Sequence, residues 1–213
     1  MSELVSFDNA YLKGCVQAVL AAPELPAIVQ AGHPVLRVPA LEFTGQLTDP
    51  ELQRLTDIMV ATMRAAPGVG LAAPQIGIPL QLAVLEDQYQ VPPESAAARS
   101  REPLELFTIL NPRYTPVGTG TAAHFEGCLS MPGWQAVVDR AATVDVAYDD
   151  EHGTARTRRL TGWQARIVQH ETDHLHGTLY IDKAHTRSLC CSAEYARNWA
   201  GLDLPTTRAG LGF

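Results

Sequence analysis

The sequence IVQHETDH occupies residues 167–174 and places two histidines, His170 and His174, four positions apart. On an α-helix this spacing puts both imidazoles on one face, one turn apart, where they can bind a single metal ion. Glu171 directly follows the first histidine and can act as a general base toward a metal-activated water. We predict that the helix runs over residues 163–176. The pattern indicates a hydrolytic metal site without identifying the class of enzyme.

Length and composition indicate a soluble globular protein. A chain of 213 residues can bury a real core, and we expect a single catalytic domain over residues 1–213. No apolar run approaches the ~20 residues that a membrane-spanning helix needs, and no convincing secretory signal is present. The net charge of −7 argues against broad affinity for nucleic acids. We therefore expect a cytoplasmic protein that binds neither a membrane nor nucleic acid directly.

Hydrophobic periodicity predicts helices and short strands without a βαβ rhythm. Beyond the histidine helix, we expect helices within residues 1–30, over Asp49–Met63 and over 188–199. Strands are predicted at 80–85, 107–111, 137–139, 143–148 and 156–160, the last two forming a hairpin. This is an α+β fold, with antiparallel β-sheets packed around a central metal-binding helix and additional N-terminal and C-terminal helices.

Three segments are expected to lie outside the catalytic core of the domain. Residues 1–26 form an N-terminal extension. Residues 87–104 are rich in Pro, Ala and Ser and lack periodicity, so they are predicted to be a loop insertion. Residues 183–213 are predicted to be a C-terminal helix followed by an irregular tail.

The third protein ligand of the metal would identify the class of enzyme, because catalytic sites usually keep three ligands and one open position. The pattern H-E-x-x-H-x-x-G-x-x-H matches at Gly177 but has Tyr180 where a third histidine is required. Glu194 has the spacing of the third ligand in thermolysin-like proteases, which gives the alternative of a metalloendopeptidase from another H-E-x-x-H family. Cys128, within EGCLS at 126–130, would complete a Cys/His/His site, although a lone cysteine is more often a small buried apolar residue.

A third motif, GVGLAAPQ, occupies residues 68–75. It lacks the G-K-[ST] ending of a phosphate-binding loop. Its small residues suit a backbone that closely approaches an extended ligand, and the amide of Gln75 can donate to an oxyanion.

These three segments, in this order, resemble the three signature motifs of peptide deformylases: G-φ-G-φ-A-A-x-Q, E-G-C-L-S and H-E-x-D-H. Each is matched without a mismatch, and GHPVLR at 32–37 resembles the family's G-x-P-x-L-R segment. The resemblance extends from about residue 27 to residue 182. It implies hydrolytic removal of the formyl group from the N-terminal N-formylmethionine of newly synthesised proteins, with release of formate.

The resemblance also implies roles for individual residues. Glu171 would accept the proton of the attacking water and return it to the leaving amine, while the Gln75 side chain and the backbone N–H of Leu129 stabilise the oxyanion. Asp173 is a candidate to orient a ligand histidine, with a structural or solvated carboxylate as an equal alternative. The metal would be Fe²⁺ natively, although Zn²⁺ or Ni²⁺ also suits the ligands. Three side chains would bind this one divalent ion: Cys128, His170 and His174.

The substrate would be the N-formylmethionyl end of a nascent peptide. Val69 and Gly70 match the family positions whose backbone pairs with the substrate as an added strand. Ile167 and Trp163 lie three and seven residues before His170, so they share its helical face and are candidates to wall an apolar pocket for methionine. Ordinary core packing of both is an equal alternative. We expect a monomer, and a transient contact with the ribosome stays open.

Overall fold

The protein consists of six α-helices and eight β-strands within residues 7–201 and 203–213, the part of the chain that a computed structural model describes. The helices are α1 (Asn9–Ala21), α2 (Asp49–Ala65), α3 (Pro93–Arg99), α4 (Gly162–Leu175), α5 (Ser192–Asn198) and α6 (Leu204–Leu211). The strands are β1 (Gly70–Ala72), β2 (Leu82–Asp87), β3 (Leu104–Pro116), β4 (Thr121–Cys128), β5 (Met131–Ala141), β6 (Thr143–Asp149), β7 (Ala155–Thr161) and β8 (Cys190–Cys191). None of the described helices is long and apolar enough to cross a membrane.

The strands form two sheets in which all neighbouring strands are antiparallel. The larger sheet has the order β1-β2-β3-β6-β7, and the smaller has the order β4-β5-β8. The predicted hairpin is present as β6 and β7, which pair from Thr143 opposite Thr161 to Asp149 opposite Ala155. Strand β1 lies at the end of the larger sheet, so only one of its edges is paired within that sheet.

The middle of the larger sheet is buried on both faces. Leu82 and Val84 of β2 belong to the apolar core formed with α1 and α2, whereas Ala83 and Leu85 belong to the core formed with α4. Successive side chains of a strand point to opposite faces, so these alternate residues contact different helices. Burial on both faces explains why residues 82–85 form a continuous apolar run and not an alternating one.

Helix α4 lies between the two sheets. Val168 and Leu175 are fully buried in the core that α4 forms with the larger sheet. Gln169 binds the end of β5: its Oε1 accepts from the N–H of Ala141 at 3.2 Å, and its Nε2 donates to the carbonyl of Ala141 at 3.0 Å. The predicted α+β fold, with antiparallel sheets around a central helix that carries the histidines, is confirmed.

Three predictions of local structure need correction. Residues 87–104 are not simply a loop, because they contain α3. The tail is not irregular to its end, because Asp203 caps α6 by accepting from the N–H of Thr206 at 2.7 Å. Strand β4 was not predicted, and β5 is much longer than residues 137–139, because these strands are stabilised by their mutual pairing and not by strong local propensity. The helix expected within residues 1–30 is α1, while residues 1–6 of the extension lie outside the described residues.

Gly177 ends α4 in the left-handed conformation, with φ of +75°. A Cβ at this position would lie 2.8 Å from the carbonyl carbon of Arg37 and 3.0 Å from its oxygen. We therefore expect Gly177→Ala to lower the free energy of unfolding by about 2–4 kcal/mol, through both backbone strain and steric overlap. Urea unfolding monitored by circular dichroism measures this loss.

Gly118→Ala is the matched control. Gly118 has a similar φ of +71°, but a Cβ there would meet nothing within 4 Å. Gly118→Ala should lower the free energy of unfolding by about 1 kcal/mol, from backbone strain alone. Equal losses for the two variants would show that the approach of Arg37 to Gly177 contributes nothing.

Candidate active site

Three potential metal ligands meet where the C-terminal end of β4 approaches the C-terminal half of α4. The ligand atoms of Cys128, His170 and His174 all lie within 4.8 Å of one another. Among the described residues, these three form the cluster of His, Cys, Asp or Glu side chains that could hold a metal ion. The Sγ of Cys128 lies 3.2 Å from Nε2 of His174. Two ligand atoms that each lie about 2.0–2.3 Å from one tetrahedrally coordinated ion are separated from each other by about the distance seen here. The spacing of the three side chains therefore fits a single metal ion.

Hydrogen bonds and burial set the protonation of the two histidines. Glu126 Oε2 lies 2.9 Å from Nδ1 of His170. A carboxylate can only accept a hydrogen bond, so Nδ1 carries a proton and Nε2 is the nitrogen left for a metal. Burial alone would lower the pKa of His170, but its hydrogen bonds with Cys128 and Glu126 raise it to about 10, so a metal must displace the proton from Nε2. Burial, and then the nearby charge on His170, lower the pKa of His174 well below its usual value and keep that ring neutral. A thiolate with two neutral imidazoles suits several divalent transition metals.

A buried ionic network surrounds the ligand histidine. Glu126 accepts two hydrogen bonds from Arg140, at 2.6 and 2.9 Å, and a further one from Arg166. Burial alone would raise the pKa of the Glu126 carboxyl, but the charge and hydrogen bonds of Arg140, together with those of His170, hold this pKa well below its usual range. Glu126 is the first residue of the EGCLS motif, but the sequence predicted no role for it. The structure makes it the residue that orients His170.

Asp173 does not orient a ligand histidine, contrary to one of the two expectations for it. Its carboxylate accepts from Arg140 at 2.7 Å, from the Tyr114 hydroxyl at 3.0 Å and from Lys183 at 2.7 Å. Asp173 therefore extends the network around Glu126 away from the metal ligands, which is a structural role.

Glu171 is buried against the backbone of β1. Its side chain is so close to Gly70 that a Cβ on Gly70 would lie 2.3 Å from Oε1. Within the described structure, Oε2 is buried without a hydrogen-bond partner. Burial raises the pKa of Glu171 to about 7, against the opposing charges of His170 and Arg140. A cation at the three ligands would lower this pKa, since a nearby positive charge favours the carboxylate.

The amide of Gln75 has a defined orientation. Its Oε1 accepts from the N–H of Ala72 at 2.9 Å, so Nε2 points the other way, 3.6 Å from Cys128 Sγ and 3.4 Å from Ser130 Oγ. Leu129 lies in the turn between β4 and β5 and lines the same cavity. Both residues suggested for the oxyanion are thus beside the potential metal ligands.

A cavity of about 580 Å³ opens onto this site. Its walls include all four residues suggested for substrate binding: Val69, Gly70, Trp163 and Ile167. Arg166 also lines the cavity, and its guanidinium donates to Glu126.

Two residues considered for other metalloprotease patterns do not join the ligands. Glu194 lies on α5 with a half-exposed side chain, and its carboxylate accepts from Arg197 and Asn198, both at 2.8 Å. Tyr180 packs its ring parallel to that of His170, with centroids 6.2 Å apart, and donates its hydroxyl to the carbonyl of Trp134. The alternative with Glu194 as third ligand is therefore not favoured.

Glu126→Gln should weaken metal binding roughly 10- to 100-fold, because a neutral amide polarises His170 less than a carboxylate does. The variant should also lose about 3–5 kcal/mol of stability, since Arg140 and Arg166 would lose their buried counter-charge. Competition titration with a chromophoric chelator measures the first effect, and urea unfolding measures the second.

Asp173→Asn is the control for this pair of effects, because Asp173 shares Arg140 but touches no ligand histidine. It should lower stability while changing metal affinity only a few-fold. Wild-type affinity in Glu126→Gln, or equal weakening in Asp173→Asn, would contradict the role given to Glu126.

Comparison with known proteins agrees with this geometry. A protein-family model described as Polypeptide deformylase matches residues 25–189. Peptide deformylase 1 of Streptomyces coelicolor is 48% identical over 97% of this chain and 94% of its own length. Peptide deformylase 3 of Streptomyces avermitilis is 50% identical over 93% of this chain and 88% of its own.

Solved structures show the same relationship. A Met-Ala-Ser-bound class I type b peptide deformylase from Acinetobacter baumannii superposes with a TM-score of 0.68 at 29% identity, covering 76% of this chain and 99% of its own. A peptide deformylase from Synechococcus elongatus in complex with actinonin has a TM-score of 0.64 at 31% identity, covering 91% of this chain and 88% of its own. The chain belongs to the peptide deformylase family, metal-dependent hydrolases that remove the formyl group from N-formylmethionine.

Proposed function

We propose that this chain hydrolyses the formyl group from the N-formylmethionyl end of nascent peptides by using Glu171 as general acid and base beside a metal held by Cys128, His170 and His174. The observation that carries the proposal is the buried Glu171 carboxylate, which lies next to these three ligands and lines the cavity. Family membership supplies the reaction, and the position of each side chain supports its role in that reaction.

We propose Fe²⁺ as the native metal, with Zn²⁺ or Ni²⁺ as replacements that the same ligands accept. A divalent ion at these ligands supplies Lewis acidity, which polarises the formyl oxygen and lowers the pKa of water. The choice of iron rests on the resemblance to the family, because the thiolate and two imidazoles suit all three ions.

Glu171 accepts the proton of the attacking water and returns it to the amine that leaves. Its buried position beside these ligands supports this role, because a general base must lie within reach of the proton that it accepts. Gln75 donates through Nε2 to the developing oxyanion, and the fixed hydrogen bond from Ala72 means that no reorientation is required. The backbone N–H of Leu129 is the second donor.

The substrate peptide adds as a strand to the outer edge of β1. Val69 and Gly70 line the cavity along this edge, where the larger sheet provides no neighbouring strand. The methionine side chain enters the apolar part of the cavity beside Ile167 and Trp163, which lie one and two turns before His170 on α4.

We further propose a monomer that works in the cytoplasm as a single catalytic domain over residues 1–213, with transient contact to the ribosome. A monomer is supported because one chain supplies the three ligands, the base and the cavity walls. The cytoplasm and the ribosome contact are supported by the nature of the substrate, which is a chain under synthesis.

Glu171→Ala should lower kcat about 10²- to 10⁴-fold while the protein keeps its metal, because the proton acceptor is lost and the ligands remain. Cys128→Ala should lose both metal and activity. The assay is formate release from a formyl-Met tripeptide by protein purified without oxygen and loaded with Fe²⁺, with metal content measured on the same samples.

Glu194→Ala is the matched control, since it removes a glutamate that the alternative protease class would need as a ligand. It should keep the metal and near wild-type turnover. Formate release by Glu171→Ala at a near wild-type rate would refute the proposed mechanism. Cleavage of internal peptide bonds in an unformylated peptide, without formate release, would indicate the endopeptidase instead.

Gly70→Ala should lower kcat/KM about 100-fold, because the added methyl group overlaps the Glu171 carboxylate and displaces the base by about 1 Å. Gly120→Ala is the control, since a Cβ there would be 3.8 Å from its nearest neighbour and lies outside the cavity. The same formate assay applies. Full activity in Gly70→Ala would mean that the close contact with Glu171 does not fix the position of the base.

A further inference from the structure

Two segments outside the signature motifs meet at the cavity. Arg99 at the end of α3 lines the cavity and donates to the hydroxyl of Tyr195 on α5 at 3.3 Å. The Tyr195 ring in turn packs edge-on against Phe125 of β4, with centroids 4.8 Å apart. The segments 87–104 and 183–213 therefore join to form part of the cavity wall.

Arg99 brings an uncompensated positive charge to this wall. Its guanidinium lies 5.0 Å from the centre of the Trp163 ring, where cation–π attraction holds it. Arg101 and Arg166 also lie within 6 Å of that ring. Each of those two is paired with a buried carboxylate: Asp87 for Arg101 and Glu126 for Arg166. Among residues 7–201 and 203–213, no carboxylate lies within ion-pair distance of Arg99.

His124, which also contacts Trp163, adds no charge to this part of the cavity wall at pH 7. His124 packs edge-on against Trp163, with centroids 6.1 Å apart. Burial, and then the charges of Arg166 and Arg99, lower the pKa of His124 to about 4, so its ring is neutral at pH 7. The charge that this part of the wall presents to a ligand is thus that of Arg99.

The geometry of an extended peptide indicates what this charge contacts. In a strand, side chains of the first and third residues point to the same side, about 6.6 Å apart. Trp163 walls the pocket proposed for the first residue, methionine, and Arg99 stacks on Trp163. We infer that Arg99 is a specificity-determining residue that favours an acidic side chain at the third residue of the substrate. This inference rests on the proposed function.

The test compares C-terminally amidated peptides, so that a terminal carboxylate does not mimic an acidic side chain. For the Fe²⁺-loaded protein, kcat/KM for formyl-Met-Ala-Glu-amide should exceed that for formyl-Met-Ala-Gln-amide about three- to fivefold, the size expected for a half-exposed ion pair. When Glu and Gln are instead compared at the second residue of the substrate, the ratio of the two kcat/KM values should be near one. The preference should shrink at about 0.5 M salt, because exposed charges are screened.

Arg99→Gln should bring the third-residue ratio to about one, and Arg99→Lys should keep part of it. Because each ratio compares two peptides with one preparation, it does not depend on the fraction of folded protein. Arg158→Gln is the matched control: its guanidinium also stacks on an aromatic ring, 5.0 Å from the centre of Phe107, but it is not in the cavity wall. That variant should show the wild-type ratio.

Tyr195→Phe tests how Arg99 is positioned, because it removes only the hydroxyl that accepts from Arg99. The ratio should fall between those of wild type and Arg99→Gln. A wild-type ratio near one, a ratio that survives in Arg99→Gln, or a loss in Arg158→Gln would overturn the inference while leaving deformylation intact. Absence of formate release from every peptide would instead overturn the proposed function, and the inference with it.

Discussion

The buried carboxylate of Glu126 is the interaction on which the site depends. It joins Arg140 of β5, Arg166 of α4 and the candidate ligand His170, while Glu126 itself comes from β4, two residues before Cys128. The contact that holds β4 against α4 therefore also fixes the imidazole of a ligand and the distance to the thiolate. A shift of β4 or of α4 would therefore break an ion pair of Glu126 and displace a candidate metal ligand at the same time.

The energetic balance of such a network explains its role. Taking an ion out of water costs several kcal/mol, and a well-formed pair only roughly repays this cost, so the network contributes little net stability. An incorrect packing of β4 against α4 would, however, leave buried charges without partners, and that costs much more. We therefore infer that Glu126 and its arginines select one packing of β4 against α4. Most of the stability comes from the apolar cores on both faces of the larger sheet.

Much of this site could be predicted from the sequence because its residues act at short range. The spacing of His170 and His174 is a local property of a helix, and the helical stripe of α2 is equally local. Strand β4 could not be found this way, because it depends on its pairing with β5. The role of Glu126 was missed because its partners Arg140 and Arg166 lie 14 and 40 residues away along the chain. Helix α3 was missed because its alanines face solvent and show no apolar periodicity.

In the proposed mechanism, the residues that perform the chemistry and those that contact the rest of the peptide come from different segments. Glu171 and the metal ligands come from the motifs on α4 and β4, whereas Arg99 and Tyr195 come from segments that no motif covers. An ion pair to a side chain two residues from the reacting carbonyl is formed equally in the ground state and the transition state. Such uniform binding lowers KM and leaves kcat nearly unchanged. Segments such as α3 and α5 can therefore differ between related enzymes and alter which nascent chains are processed first, without altering the reaction proposed for Glu171.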